Sequence, residues 1–166
     1  MPTASNVATI AQAGKFLSFR LGSEEYGLEI LKVQEIVGVT GMMRVPHVPG
    51  YVRGLLALRG RAVPAIDLRH KLGLRPVEDT AKTCVIVAQV GFGGTVLTVG
   101  LVVDEVCEVV NIAEDQIGFP PSCCGGMEGV DFVNGQGTLG GRDVILMDAD
   151  SLFTQEELRV VADLVD

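Results

Sequence analysis

The stretch GLEILKVQEIV, Gly27 to Val37, returns without a gap as GLVVDEVCEVV, Gly100 to Val110, keeping Gly, Leu, an aliphatic, Val, Glu, an aliphatic and Val in register. Each copy follows a predicted hairpin (Phe16 to Tyr26; Cys84 to Val99). Each precedes a Pro- or Gly-rich loop and a second hairpin (Val52 to Leu68; Val130 to Met147). Self-similarity on this scale marks a duplicated unit. Two modules of about five short strands each suit small closed barrels, which leave few free edges. The expected division is a loose tail at 1–14, a first barrel at about 15–80, a second at about 81–150 with exchange of strands allowed for, and a C-terminal helix at 151–166.

Around the repeat the elements follow from periodicity. KFLSFRL, GSEE and YGLEI read as two alternating strands about a turn, and LKVQEIVGV as strand, with or without one helical turn at its start. YVRGLLALRGRAVPAIDL, Tyr51 to Leu68, reads as a hairpin meeting at Arg59-Gly60-Arg61. Period two puts Leu56 and Leu58 on one face and Leu55, Ala57 and Arg59 on the other, with Arg59 at the end of a buried strand. Gly60 supplies the freedom of a tight connection, and Pro64 pushes the return arm toward an edge or a bulge. Arg59 reads either as a solvated tip or as a recognition arginine whose forked donors are held rigidly. RHKLGL fits a short helical turn and PVEDTAK a linker. Thr154 with Glu157 forms a capping box, and Leu158, Val161 and Val165 fall on one helical face.

The composition is 48% hydrophobic and 20% charged with no Trp, which suits a core of β-branched aliphatics. A net charge of −8 opposes general nucleic-acid binding, which needs basic surface to displace counterions. Between Ile36 and Val77, however, Arg44, Arg53, Arg59, Arg61, Arg69, Lys71 and Arg75 face the single acid Asp67, suggesting either a protein-docking surface or scattered solvated bases. Cys84 and Cys107 fall in apolar runs and Cys123-Cys124 are adjacent, which is neither redox nor zinc spacing, so reduced thiols and no metal are expected. Met1 to Gly14 lacks a basic start and a continuous apolar run, and the longest apolar run, near Val99 to Val103, is short of the roughly 18 residues that span a bilayer, so a cytoplasmic protein without membrane insertion is expected.

No catalytic constellation stands out. GFGGT at 91–95 lies between strands and opens no helix, so it fails the dinucleotide fingerprint. His47 and His70 stand apart from one another, and Asp143, Asp148 and Asp150 read as solvated strand ends and a helix N-terminus.

At YGLEILKVQEIVGV, LRGRAVPAIDLRHKLG and VGLVVDEVCEVV the chain resembles the CheW family of bacterial chemotaxis adaptors, from about Phe16 to the terminal helix. Tyr26, Gly27, Leu28, Ile30, Val33, Glu35 and Ile36 meet the family's YG-I-x-I-x-x-V-x-E-I. Leu58, Arg59 and Gly60 meet its N-L-R-G turn, with Ala57 where Asn is usual. Pro64, Asp67 and Leu68 meet P-x-x-D-L, and Gly100, Val102, Val103, Asp104 and Val106 meet G-x-V-V-D-x-V. The resemblance implies two SH3-like five-stranded β-barrels packed on a shared hydrophobic core, with no catalytic activity and no cofactor. It implies a scaffold binding the regulatory domain of a CheA-type histidine kinase and the cytoplasmic hairpin tips of chemoreceptors, at receptor arrays on the inner face of the cell membrane. Carried over by position, the receptor groove comprises Val33, Glu35, Arg59, Cys84 and Val109, with Arg53, Gly54 and Gly60 at its margin. The alternatives are an adaptor of a non-flagellar chemosensory pathway and, from another class, a small ligand-binding or enzymatic barrel using Asp67 or Asp143 with Asp148.

Overall fold

The computed structural model describes residues 13–39, 41–74, 78–118 and 133–165. The loop holding Cys123-Cys124, nearly all of the tail at 1–14 and part of the linker at 76–82 lie outside the described residues. The first half holds β1 (Gly14–Leu21), β2 (Glu24–Glu29), β3 (Val33–Gly38), β4 (Met42–Met43), β5 (Val52–Leu58), β6 (Arg61–Asp67) and the short helix α1 (Leu68–Lys71). The second holds β7 (Cys84–Phe92), β8 (Thr95–Val103), β9 (Glu105–Ile112), β10 (Ile117–Gly118), β11 (Val133–Leu139), β12 (Arg142–Met147) and α2 (Gln155–Asp163). A 3-10 turn at Ile30–Lys32 precedes β3, the helical turn allowed for there, and another at Ala149–Ser151 follows β12.

One six-stranded sheet runs β10-β11-β12-β2-β1-β9 and the other β4-β5-β6-β8-β7-β3. Every position in one sheet is filled in the other by the strand six places away in chain order, so the repeat is a repeat of topology. Its register holds residue by residue. Glu35 stands beside Val87, Val87 beside Gly100 and Gly100 beside Ala65. Likewise Glu108 stands beside Ser18, Ser18 beside Gly27 and Gly27 beside Leu146. The hairpins are exchanged: β1–β2 completes the sheet of the second repeat, and β7–β8 that of the first. A cut near residue 80 therefore separates the repeats and not the sheets. Each sheet has the five expected strands plus a two-residue extra, β4 or β10.

Three apolar clusters account for the burial. Leu56, Val63, Ala65, Val85, Val87 and Val102 all belong to one sheet, and Phe16, Val110, Ile112, Val144 and Leu146 to the other. A sheet packs on itself only by curling, so each forms its own barrel-like interior. The third and largest cluster joins both sheets, with Leu17, Phe19 and Leu28 from one and Ile86, Leu101 and Val103 from the other. Neighbours on β7 thus face opposite cores, Val85 and Val87 inward and Ile86 and Ala88 to the shared layer, which is why its sequence is apolar without alternation. Onto the shared layer docks α2 through the fully buried Leu158 and Val161. Its start is fixed by reciprocal bonds: Thr154 N–H donates to the Glu157 carboxylate at 2.9 Å, and Glu157 N–H to Thr154 Oγ1 at 3.1 Å.

Candidate partner-binding groove

The tip of the β5–β6 hairpin is a two-residue turn, and Arg59 is its first residue instead of the last of a strand. Its φ is 52° and that of Gly60 is 77°, the left-handed pair that matches the twist of flanking strands. The matching turn of the second repeat is Gly140-Gly141, at 52° and 87°. An arginine therefore stands where backbone conformation favours glycine, and Glu35 on β3 meets it. Arg59 Nη2 donates to Glu35 Oε1 at 3.2 Å and Nη1 lies 2.9 Å from Oε2. The Arg59 side chain remains 70% exposed against 22% for Glu35, so the pair adds about 0 to 1 kcal/mol of stability and leaves a guanidinium face open.

This pair frames a groove of about 180 Å³ whose walls include Leu58, Val63, Val96 and Thr98. Two further residues enter it. Arg61, at the start of the return arm, lines the same groove, so it shares the environment of Arg59. Val165, expected on the buried helical face, lies beyond the end of α2 and lines the groove instead.

Val33, Cys84, Val109, Arg53 and Gly54 do not line this groove. Val33 and Cys84 are half-buried against the shared core at opposite ends of the β3–β7 pairing, Val33 opposite Ala88 and Cys84 opposite Gly38. Burial pushes the Cys84 thiol pKa up, against a hydrogen bond with the main chain of Val106. Val109 is 52% exposed and lies on β9 of the other sheet, three residues along from Val106 and so roughly 10 Å at strand rise. Arg53 is engaged by Asp79 through two bonds at 3.1 and 2.7 Å. Gly54 is sterically required, since a Cβ there would stand 2.2 Å from the Met43 carbonyl oxygen.

Several bases of the basic segment are met by acids, while Arg44, Arg59 and Arg61 stay exposed. Acids distant in sequence fold back on it: Glu35 meets Arg59, Asp79 meets Arg53, and Glu157 meets Lys71 at 3.2 Å. Arg69 is buried, 2% exposed, with Asp67 at 3.2 Å, Asp79 at 3.5 Å and Asp104 at 3.0 Å. Arg75 lies outside the described residues. Hydrogen bonding from Arg53 holds the Asp79 carboxyl below the usual carboxylate range, against burial. Burial likewise pushes the Asp150 pKa up, and the Gly91 amide with Lys32 outweighs it, so its pKa also lies low.

The acids considered for chemistry are occupied by structure. Asp67 and Asp148 cap the turns after β6 and β12, accepting the N–H of Arg69 at 3.1 Å and of Asp150 at 3.2 Å, while Asp143 accepts the Thr138 hydroxyl at 3.4 Å. No group of three His, Cys, Asp or Glu converges as a metal site among the described residues, and Cys84 and Cys107 are free. Among those residues no helix is long and apolar enough to cross a membrane.

Residues 15–157 match the CheW-like domain family. The chain belongs to the CheW family. It is 39% identical over 161 residues to the chemotaxis protein CheW of Klebsiella aerogenes, covering 97% of this chain and 94% of that one. It is 34% identical over 143 residues to CheW of Rhizobium meliloti, covering 86% and 89%. The crystal structure of the scaffolding protein TtCheW from Thermoanaerobacter tengcongensis superposes with a TM-score of 0.74 at 29% identity, covering 88% of this chain and 96% of that one. As a CheW protein the chain is a non-enzymatic scaffold of bacterial chemotaxis.

Proposed function

We propose that this scaffold couples chemoreceptors to a CheA-type histidine kinase by binding both, with the receptor's cytoplasmic hairpin tip held at the groove framed by Glu35 and Arg59. The observation that carries it is the Arg59 guanidinium, fixed at a left-handed turn, tied to Glu35 and still 70% exposed over apolar walls. A helical hairpin presents an aliphatic face with polar flanks, which such walls and such a frame suit. The working location follows from the receptors: arrays at the inner face of the cell membrane.

Val96→Asp is the substitution that separates binding from folding. Val33 is half-buried on the shared core, so a charge there would destabilise the fold, whereas Val96 is 59% exposed in the wall of the groove. The expected result is that Val96→Asp keeps its melting temperature and co-purifies with kinase but loses a receptor cytoplasmic fragment. Arg59→Ala is expected to keep both the fold and kinase binding while receptor state ceases to control kinase activity. The control is the exposed Arg159 on α2, since Arg61 lines the groove. If Arg59→Ala and Arg159→Ala behave alike in the reconstituted assay, the groove is not the receptor site.

A further inference from the structure

The chain crosses between the sheets at Ile30–Lys32, from β2 to β3, and at Asp104, from β8 to β9. Beside each crossing lies the turn that follows a return strand, the 3-10 turn Ala149–Ser151 after β12 and α1 after β6. At Asp104 the crossing carries the acid and the turn the base, Arg69 Nη1 lying 3.0 Å from Asp104 Oδ1. At the other junction the charges are exchanged: the crossing supplies Lys32 and the turn Asp150, 3.0 Å apart. In both, the carboxylate also accepts a glycine N–H from the hairpin of the opposite sheet, Gly22 to Asp104 at 2.8 Å and Gly91 to Asp150 at 2.9 Å. The two glycines are themselves equivalent, each four places beyond the residue, Ser18 or Val87, that pairs with the repeat glutamate.

The junctions differ in burial. Arg69 is sealed among three carboxylates, one of them held in turn by Arg53, whereas the Lys32 and Asp150 side chains keep 32% and 45% of their exposure. A buried ion pair resists separation because it would leave an uncompensated charge away from water, and an exposed pair is weak and screened by salt. We infer that the Arg69 junction is a fixed pivot between the sheets and the Lys32–Asp150 junction a releasable latch. Strand β3, which carries Val33 and Glu35, begins one residue after Lys32, so a receptor tip in the groove pulls on the latch; this last step rests on the receptor reading proposed above.

Amide hydrogen exchange on the whole protein reads both junctions through their glycines. Raising salt from about 0.1 M to about 1 M, where the screening length falls from roughly 10 to 3 Å, is expected to speed exchange at Gly91 by about two- to fivefold and leave Gly22 unchanged. Lys32→Met, which removes the cation and keeps the Asp150 carboxylate that accepts the Gly91 N–H, is expected to reproduce that loss and to abolish the salt response at Gly91. Equal salt responses at Gly22 and Gly91, or a Lys32→Met protein whose Gly91 amide still responds to salt as the parent does, overturns the latch. With a receptor cytoplasmic fragment bound, Gly91 exchange is expected to change and Gly22 exchange to hold. Unchanged exchange in a complex that co-purifies overturns the coupling of groove to latch, while a fragment that fails to co-purify overturns the receptor reading and leaves the salt result standing.

Discussion

Arg59 carries both the function proposed for the groove and a local backbone cost, and the two can be separated. A non-glycine residue in the left-handed region is disfavoured by about 1 to 2 kcal/mol, and Gly140 relieves that cost at the matching turn. Arg59→Gly is therefore expected to be more stable than Arg59→Ala by about 1 kcal/mol in urea denaturation, because both lose the Glu35 pair but only alanine keeps the strain. Equal stabilities would mean the turn is not strained. The sequence showed a hairpin here but put Arg59 in a strand, because Arg-Gly lacks the Asn, Asp or Gly that usually marks the first place of such a turn. Gly140-Gly141 carries that signal in the other copy, and aligning the two hairpins would have moved Arg59 into the turn. Arg69 was misjudged for a different reason. A charged side chain is almost never fully buried unless it is paired, and of its partners only Asp67 is a near neighbour, Asp79 lying across a linker and Asp104 in the other repeat.

At the scale of elements, the repeat glycines explain why the duplicated stretch begins as it does. A Cβ on Gly100 would meet Val85 Cγ1 at 2.7 Å, and one on Gly27 would meet Leu146 and Val144 at 3.0 Å, each inside its own barrel interior. Gly100→Ala is expected to cost about 1 to 3 kcal/mol by overpacking, seen as a lower melting temperature, and Gly27→Ala less. A Gly100→Ala protein that melts like the parent would show that Val85 can move aside. Strands, hairpins, the capping box of α2 and the equivalence of the two copies were legible, since each rests on local periodicity and local bonding. The exchange of hairpins was not, because alternation reveals which face a residue occupies and is silent about which strand lies next to it. The parallel pairings of β6 with β8 and β12 with β2 have no signature within either strand.

Over the whole molecule, acid is the simplest probe of the ion pairs that join distant segments. The folded pKa values of Asp79 and Asp150 lie below their ordinary value of 3.8, so their contribution to stability is fully present above that value. It is lost as pH falls through the lower folded values. Melting temperature is expected to hold from neutrality to about pH 5 and to fall below about pH 4, with a shallower fall for Asp79→Asn. An unaltered acid limb in that variant would show that the pairing of Asp79 with Arg53 and Arg69 contributes no proton linkage. The exchanged hairpins have a further consequence in the order of synthesis. Ser18 leaves the ribosome roughly ninety residues before its β9 neighbour Glu108, an interval of about 5 to 20 s at ordinary elongation rates. For that time β1–β2 has lost neither its apolar surface nor its open edge, and the shared core cannot close until both copies exist. The nascent chain therefore exposes an unpaired strand edge and an apolar face throughout the making of its second half, the condition in which chains associate wrongly.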